Sequence, residues 1–248
     1  MTRHLAQIWR HPIKGHGAEP LGEVSLEAGR TLPWDRAWAV AHAAASVDGT
    51  EWAPCANFSR GAKAPQLMAI KAALDETAQT VTLSHPDRPE ITFDPDRQAA
   101  AFLDWVAPLM PADRAASAQI VRVPGRGMTD SDFPSISLLG LASLRALSDA
   151  VGQPLSTLRF RGNLWIEGTA PWEEFDWIGR SLRLGEAEFV VRERITRCMA
   201  TTANPQTGQR DADTLGALER HWGHRDLGVY AEVTKAGRIA LNDRLELL

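Results

Sequence analysis

The run Thr196-Arg197-Cys198-Met199-Ala200-Thr201-Thr202 sets one of the chain's two cysteines beside an arginine and just ahead of a hydroxyl pair. A thiolate is a nucleophile and a soft metal ligand, and cationic neighbours lower the pKa of its thiol. Arg192, Arg194 and Arg197 crowd positive charge within a few positions of Cys198. That pattern suits a sulfur presented to an anion or a metal. On residue type alone a second reading stands beside it. Most cysteines are small buried hydrophobes, and these arginines also fit a solvated strand face paired with Glu186, Glu188 and Glu193.

The element that delivers this cysteine is legible. Ala187, Phe189, Val191 and Ile195 alternate with Glu186, Glu188, Arg192 and Arg194, so residues 186–195 predict a strand, interrupted at Val190 and Glu193, with Cys198 in the loop beyond it. Asn204-Pro205-Gln206-Thr207-Gly208 then predicts a turn. Upstream, residues 118–123 and 135–139 read as strands. Leu141, Leu144, Leu147 and Val151 form a helical stripe stopped by Gly152 and Pro154. A last helix is expected from Asp213-Thr214, presenting Leu215, Leu218 and Trp222 to the core; His221 and His224 at its end supply only half of a tetrahedral metal site and read as surface residues. The first third reads as short strands between turns. Residues 81–83 and 91–93 form a hairpin around Pro86-Asp87-Arg88-Pro89, and a helix is predicted over 97–109 with Asp94 or Asp96 as cap. Pro108 and Pro111 end it, which sets the expected domain division at 1–111 and 112–248.

A series of short motifs carries a family resemblance. In order they are Arg161-Gly162-Asn163, an acidic stretch from Glu173 closing on Trp177-Ile178-Gly179, Gly185 to Phe189, Arg197-Cys198 with Thr201-Thr202, Asn204 to Gly208, and Gly228-Val229-Tyr230. Their order and spacing resemble a MOSC domain, the module named for the C-terminal part of molybdenum-cofactor sulfurases. His11-Pro12-Ile13-Lys14-Gly15, Asp35-Arg36-Ala37-Trp38 and residues 52–57 resemble the β-rich domain that precedes MOSC in the amidoxime-reducing branch. The fold this implies is mainly β: an N-terminal β-rich domain and a MOSC β-barrel, with peripheral helices.

The resemblance also implies a site. Cys198 would ligate molybdenum, beside the sulfurs of a pterin dithiolene that also carries a phosphate. Arg36, Arg161, Asn163, Arg197 and Thr201 would contact the cofactor, and Lys14 would meet the phosphate by a charge-assisted hydrogen bond. Asp130 or Asp132 would relay protons near the metal. Relatives place serine after the lysine, where this chain has Gly15-His16, so His16 becomes a further candidate for phosphate binding or proton transfer. Cys55 and Asn57 stand where relatives carry basic or hydroxyl residues near the substrate entrance.

Composition bounds the rest. A chain of 248 residues, 44% hydrophobic and 23% charged, is of ordinary globular type. A formal net charge of -4 argues against a nucleic-acid partner, no apolar run reaches membrane-span length, and Met1-Thr2-Arg3-His4 opens no signal-peptide core. Cytoplasm is the expected compartment. Two cysteines cannot supply the four thiolates of an iron–sulfur cluster. The expectation is therefore a molybdenum-cofactor oxidoreductase acting on N-hydroxylated or N-oxide small molecules, fed by an external electron-transfer protein. The alternative is a cofactor carrier or persulfide module without turnover; pyridoxal phosphate enters only through sulfurases to which MOSC domains are fused. A third possibility is that Cys198 only fills a pocket and the protein binds some other anion.

Overall fold

The computed structural model describes residues 2–248. The chain opens with β1 (His4–Arg10), β2 (Ile13–Lys14), β3 (Glu19–Leu21), β4 (Glu23–Leu26) and β5 (Trp38–His42). The hairpin follows as β6 (Lys71–Asp75), β7 (Thr80–His85) and β8 (Arg88–Phe93), then α1 (Ala99–Val106) and β9 (Ser117–Val121). The remainder is β10 (Ile136–Gly140), α2 (Leu141–Val151), β11 (Leu164–Glu167), β12 (Ser181–Leu184), β13 (Ala187–Thr196), α3 (Thr214–Trp222), β14 (Asp226–Lys235), β15 (Gly237–Ala240) and β16 (Leu245–Leu247). The fold is mainly β with three peripheral α-helices among the described residues.

Eight strands form one sheet in the order β16-β12-β13-β14-β10-β11-β1-β3, curled around a core that includes Ile136, Leu138, Trp177, Phe189, Val191 and Val229. The N-terminal segment contributes β1 and β3 to this sheet, and β4 pairs with β15 near the other terminus. Two three-stranded sheets, β2-β5-β9 and β6-β7-β8, enclose a second core around Trp38, Val40, Val81, Phe93 and Phe102. Strand β9, beyond residue 111, thus belongs to a sheet of N-terminal strands. No helix among the described residues is long and apolar enough to cross a membrane.

Local chemistry explains the elements. Along β13, Ala187, Phe189, Val191 and Ile195 are buried, and the expected interruption at Glu193 is a bulge in the pairing with β14. Helix α2 ends on Gly152 at φ 81, a left-handed cap natural to glycine. Asp213 caps α3 by accepting from the Gly216 N–H. The hairpin turn is tighter than expected, Pro86-Asp87 alone, because Arg88 and Pro89 already belong to β8. Helix α1 is shorter than the predicted 97–109 and uses neither aspartate as cap. Gln98 occupies that position, while the Asp96 carboxylate accepts from Trp38 Nε1 at 2.8 Å and from Arg122.

Candidate functional site

Cys198 leaves the end of β13 extended and opens a short 3-10 turn, Met199–Thr202. Both hydroxyls of the threonine pair fold back on this turn. Thr201 Oγ1 donates to the Cys198 carbonyl at 3.1 Å, and Thr202 Oγ1 to the Met199 carbonyl at 2.8 Å. Thr201 lines the cleft described below, yet its hydroxyl already serves the loop and contacts Thr214 Oγ1 at 2.6 Å. The following turn is tied in the same way. Asn204 Oδ1 accepts from the Gln206 N–H, and Asn204 Nδ2 donates to Asp211, which in turn holds Arg159. The sulfur is therefore carried on a braced loop and remains exposed.

It faces a cleft of about 220 Å³ whose other walls come from distant segments. Lys14, Arg36, Arg60, Arg159, Arg161 and Arg197 supply six cationic side chains; Asp130 is the one carboxylate among the lining residues. Most of the cations are anchored. Lys14 Nζ donates to the Met128 carbonyl at 2.7 Å and to Asp130. Arg36 is paired with buried Asp35 and donates through Nη2 to the Arg161 carbonyl at 2.9 Å. Arg197 spends its guanidinium on the carbonyls of Leu227 and Phe160. Gly228, at φ 83, leaves room for it: a Cβ there would lie 2.6 Å from Leu139 Cγ and 3.2 Å from Arg197 Nη2. Arg159 is held at Thr202 and Asp211 although its Nε lacks a partner, whereas Arg161 Nη2 is buried with no partner and no ion pair among the described residues holds its guanidinium.

Burial, and Arg36 beside it, lower the Arg161 guanidinium to about 9; burial lowers Arg197 to about 10. Burial also lowers Lys14, against the opposing pull of Asp130. The cleft walls desolvate the Asp130 carboxyl, whose side chain is 53% exposed, but Lys14, Arg36 and Arg161 hold it below the usual carboxylate range. An arginine-rich surface of this kind, with Arg161 Nη2 and Arg159 Nε unsatisfied, is suited to receive an anion.

The structure brings Lys14, Arg36, Asp130, Arg161, Arg197, Cys198 and Thr201 together at one cleft. Three expected residues stand apart. His16 is fully buried, packs edge-on against Phe102 at 5.4 Å, and directs Nδ1 to the Lys14 carbonyl, because the chain turns back immediately after Lys14. Asn163 is buried with its amide consumed: Oδ1 accepts from the Ser137 hydroxyl and Nδ2 donates to the Trp9 carbonyl. Asp132 is exposed outside the cleft, its carbonyl accepting from Arg126. Arg192 and Arg194 also point away, Arg192 paired with Glu232 and Arg194 stacked 4.2 Å over Phe175. Trp165 and Trp177 are core residues, and Trp172 packs on Trp222. His224 lies edge-on against Trp172 and Phe175.

Ser137, Arg60, Arg159 and Tyr230 line the cleft without having been singled out. Tyr230 was on view as the end of the Gly-Val-Tyr motif and Arg159 sits two residues before Arg161; Arg60 and Ser137 carry no pattern of their own. No group of three or more His, Cys, Asp or Glu side chains gathers among the described residues; the soft donors at this cleft are Cys198 and Cys55. A second depression, beside Trp34, has no cysteine, and its Arg30, Arg122 and Arg126 are bound to Gly125, Asp96 and the backbone at Ser131.

Comparison with known proteins agrees with the motifs. The molybdenum cofactor sulfurase of Anopheles gambiae is 34% identical over 121 residues, covering 44% of this chain and 16% of its own. Molybdenum cofactor sulfurase 2 of Culex quinquefasciatus is 34% identical over 110 residues, covering 40% and 14%. The chain thus spans less than a fifth of the length of the curated relatives it matches. The solved YUAD protein from Bacillus subtilis overlays on all of this chain and 96% of its own, at 12% identity and a TM-score of 0.48. Two family models account for most of the sequence, the MOSC N-terminal beta barrel domain over residues 2–118 and the MOSC domain over 128–246, and the chain belongs to the MOSC family.

Proposed function

We propose that this cleft binds a molybdenum cofactor, that Cys198 Sγ is its protein ligand, and that the protein reduces N-hydroxylated or N-oxide compounds. The observation that carries the reading is the unpartnered Arg161 guanidinium in a cleft with six cations, one carboxylate and an exposed thiol. A desolvated guanidinium with a buried N–H that nothing accepts is costly, and an anionic ligand offsets that cost. The donor set fits the group: Arg161 and Arg36 answer a phosphate, and a thiolate answers the metal.

When bound, the cofactor supplies two-electron oxygen-atom exchange. The chain's own residues bind, orient and hold protons. Arg197, fixed to the Leu227 and Phe160 carbonyls, holds the base of the loop that presents Cys198. Lys14 keeps a proton at Nζ against Asp130 at the wall of the cleft, and its lowered pKa brings that proton closer to release. At about 220 Å³ the cleft is smaller than the usual ligand pocket, so a bound cofactor would leave room for a small-molecule substrate only on the exposed side that carries Cys198. Electrons come from a separate carrier protein, and the reading keeps the chain in the cytoplasm with no nucleic-acid or membrane partner.

The exposure of Cys198 and of Met199 beside it favours one second reading, a persulfide or cofactor carrier related to the sulfurases named above. Molybdenum and released pterin per chain, compared between wild type and Cys198→Ala from a cofactor-rich host, test the first reading. Near-stoichiometric metal that falls in the variant supports ligation by Cys198. Equal retention demotes the thiolate, and absence of both from both proteins refutes cofactor binding. Oxidation of a reduced dye on adding a hydroxylamine or amidoxime separates the reductase from the carrier.

A further inference from the structure

Cys55 and Cys198 are the chain's two cysteines, both are free, both line the same cleft, and they are near enough for Cys198 to act electrostatically on Cys55. One guanidinium ties the segments that carry them. Arg210 donates through Nη2 to the Ala62 carbonyl at 2.9 Å and through Nη1 to Thr202 Oγ1 at 2.6 Å. The wall continues through Gly61, where a Cβ would lie 3.5 Å from Ala200 Cβ. The two sides differ in how firmly they are held. The Cys198 loop is braced by both threonines, whereas the 3-10 turn Cys55–Asn57 contains no buried residue and is held mainly by His42 at the Ala56 carbonyl. Arg60 Nη1 lies 2.7 Å from Cys55 Sγ, so a cation stands ready for a thiolate there.

We propose that Cys55 and Cys198 form a reversible disulfide across the cleft when the protein meets a hydroperoxide. Cys198, the more exposed sulfur, attacks the peroxide oxygen, giving a sulfenic acid and releasing an alcohol, or water from hydrogen peroxide. Cys55 Sγ then attacks the Cys198 sulfur, its thiol proton leaves with the displaced hydroxyl as water, and the S–S bond forms. Two thiols lose two electrons and the peroxide gains them; a small dithiol reverses the step. Burial and Asp130 raise the Cys55 thiol against Arg60 and Lys14, so the more exposed Cys198 is the sulfur that reacts first. Resting on the cofactor reading above, a second consequence follows: the oxidised form has no free Cys198 sulfur for the metal and cannot be loaded.

The test is treatment of the purified full chain with equimolar hydrogen peroxide, followed by alkylation, intact mass and non-reducing tryptic mapping. The expected product has lost both alkylatable thiols and two hydrogens, and joins peptide 37–60 to peptide 198–210. It is restored by dithiothreitol and absent from Cys55→Ser and Cys198→Ser. In Cys55→Ser, dimedone should trap the Cys198 sulfenic acid. Independent oxidation of the two cysteines, or a bridge only between two chains, overturns the proposal. Molybdenum loading of oxidised and reduced protein separates the two ideas. A bridge that leaves loading unchanged refutes Cys198 ligation alone, whereas loading that needs Cys198 without any bridge refutes the switch alone.

Discussion

Acidification from about pH 6.5 to about pH 4.5 is expected to destabilise the fold by about 4 kcal/mol through two histidines. His11 and His16 are both fully buried, and each directs Nδ1 to an oxygen that can only accept, the Asp35 carboxylate at 3.1 Å and the Lys14 carbonyl at 2.8 Å. Each Nδ1 therefore carries the proton, and each Nε2 is left bare and buried without a partner. Charging either ring would place a second N–H where nothing accepts it. Burial, with Arg161 and Arg36 nearby, lowers His11 to about 3 although Asp35 opposes; burial and Arg161 lower His16 to about 4 against the Lys14 carbonyl. In the window from pH 6.5 down to those values the unfolded chain binds two protons that the native state refuses. Stability is thus full above pH 6.5 and falls with pH at up to about 1.4 kcal/mol per unit for each ring, or about 2 kcal/mol each by pH 4.5. Asp35 stays out of this window, because burial raises its carboxyl but Arg36 and His11 hold it well below the usual range. Urea unfolding followed by tryptophan fluorescence across the window reads the slope. His11→Gln and His16→Gln should each remove about half of it, whatever they cost at pH 7.5. A slope equal in the wild type and the double variant would refute the reasoning.

Asp35→Asn retains an oxygen for the His11 N–H but leaves buried Arg36 without its carboxylate; it should cost about 3–5 kcal/mol and lower Tm by roughly 10 °C, and a loss below about 1 kcal/mol would mean that solvent in the cleft already serves Arg36. Arg161→Gly removes both an unpaired charge and a side chain at φ 49, so ligand-free protein should gain about 1 kcal/mol in urea unfolding while losing anion or pterin retention. A loss of stability there would assign Arg161 a structural role instead. In cofactor-loaded protein, Asp130→Asn should shift the pH profile of dye oxidation, and Asp132→Asn should leave it unchanged; equal effects would refute the choice of Asp130.

What could be read in the sequence was periodic or local. The alternation along β13 and the leucine stripe of α2 reflect burial of one face, which residue types record directly. The braced turn after Cys198 was visible for the same reason, because Thr201, Thr202 and Asn204 bond to backbone within a few positions. Long-range pairing leaves no such trace. Nothing in residues 23–26 announces β15 as their partner, or β1 as a member of the large sheet. The site divides along the same line. Cys198, Arg197 and Arg161 stood out through their motif, but neighbours in sequence misled where the chain reverses. His16 follows Lys14 by two residues and ends against Phe102, while Arg192 and Arg194 approach Cys198 along a strand whose polar face points away from the cleft. Arg60 reaches the cleft only through tertiary packing, so no spacing could have disclosed it.

The conformations of Arg36 and Arg161 bear on why the cleft exists. Both are non-glycine residues in the left-handed region, at φ 53 and φ 49, which costs an L-residue about 1–2 kcal/mol each. They are coupled: the Arg36 N–H donates to the His11 carbonyl at 2.6 Å, and its guanidinium holds the Arg161 carbonyl, so one strained residue fixes the backbone of the other. The coupling brings two like charges close enough that Arg36 helps depress the Arg161 guanidinium. Structural needs alone would favour glycine or asparagine at such positions, and would pair the charge. Asp35 is consumed by Arg36 and His11, which leaves Arg161 with the pull of Asp35 and Asp130 but no hydrogen-bonded carboxylate. Strain therefore falls on both side chains and the unpartnered charge on Arg161, beside the same thiol, which is the arrangement expected where an anionic ligand completes the cleft.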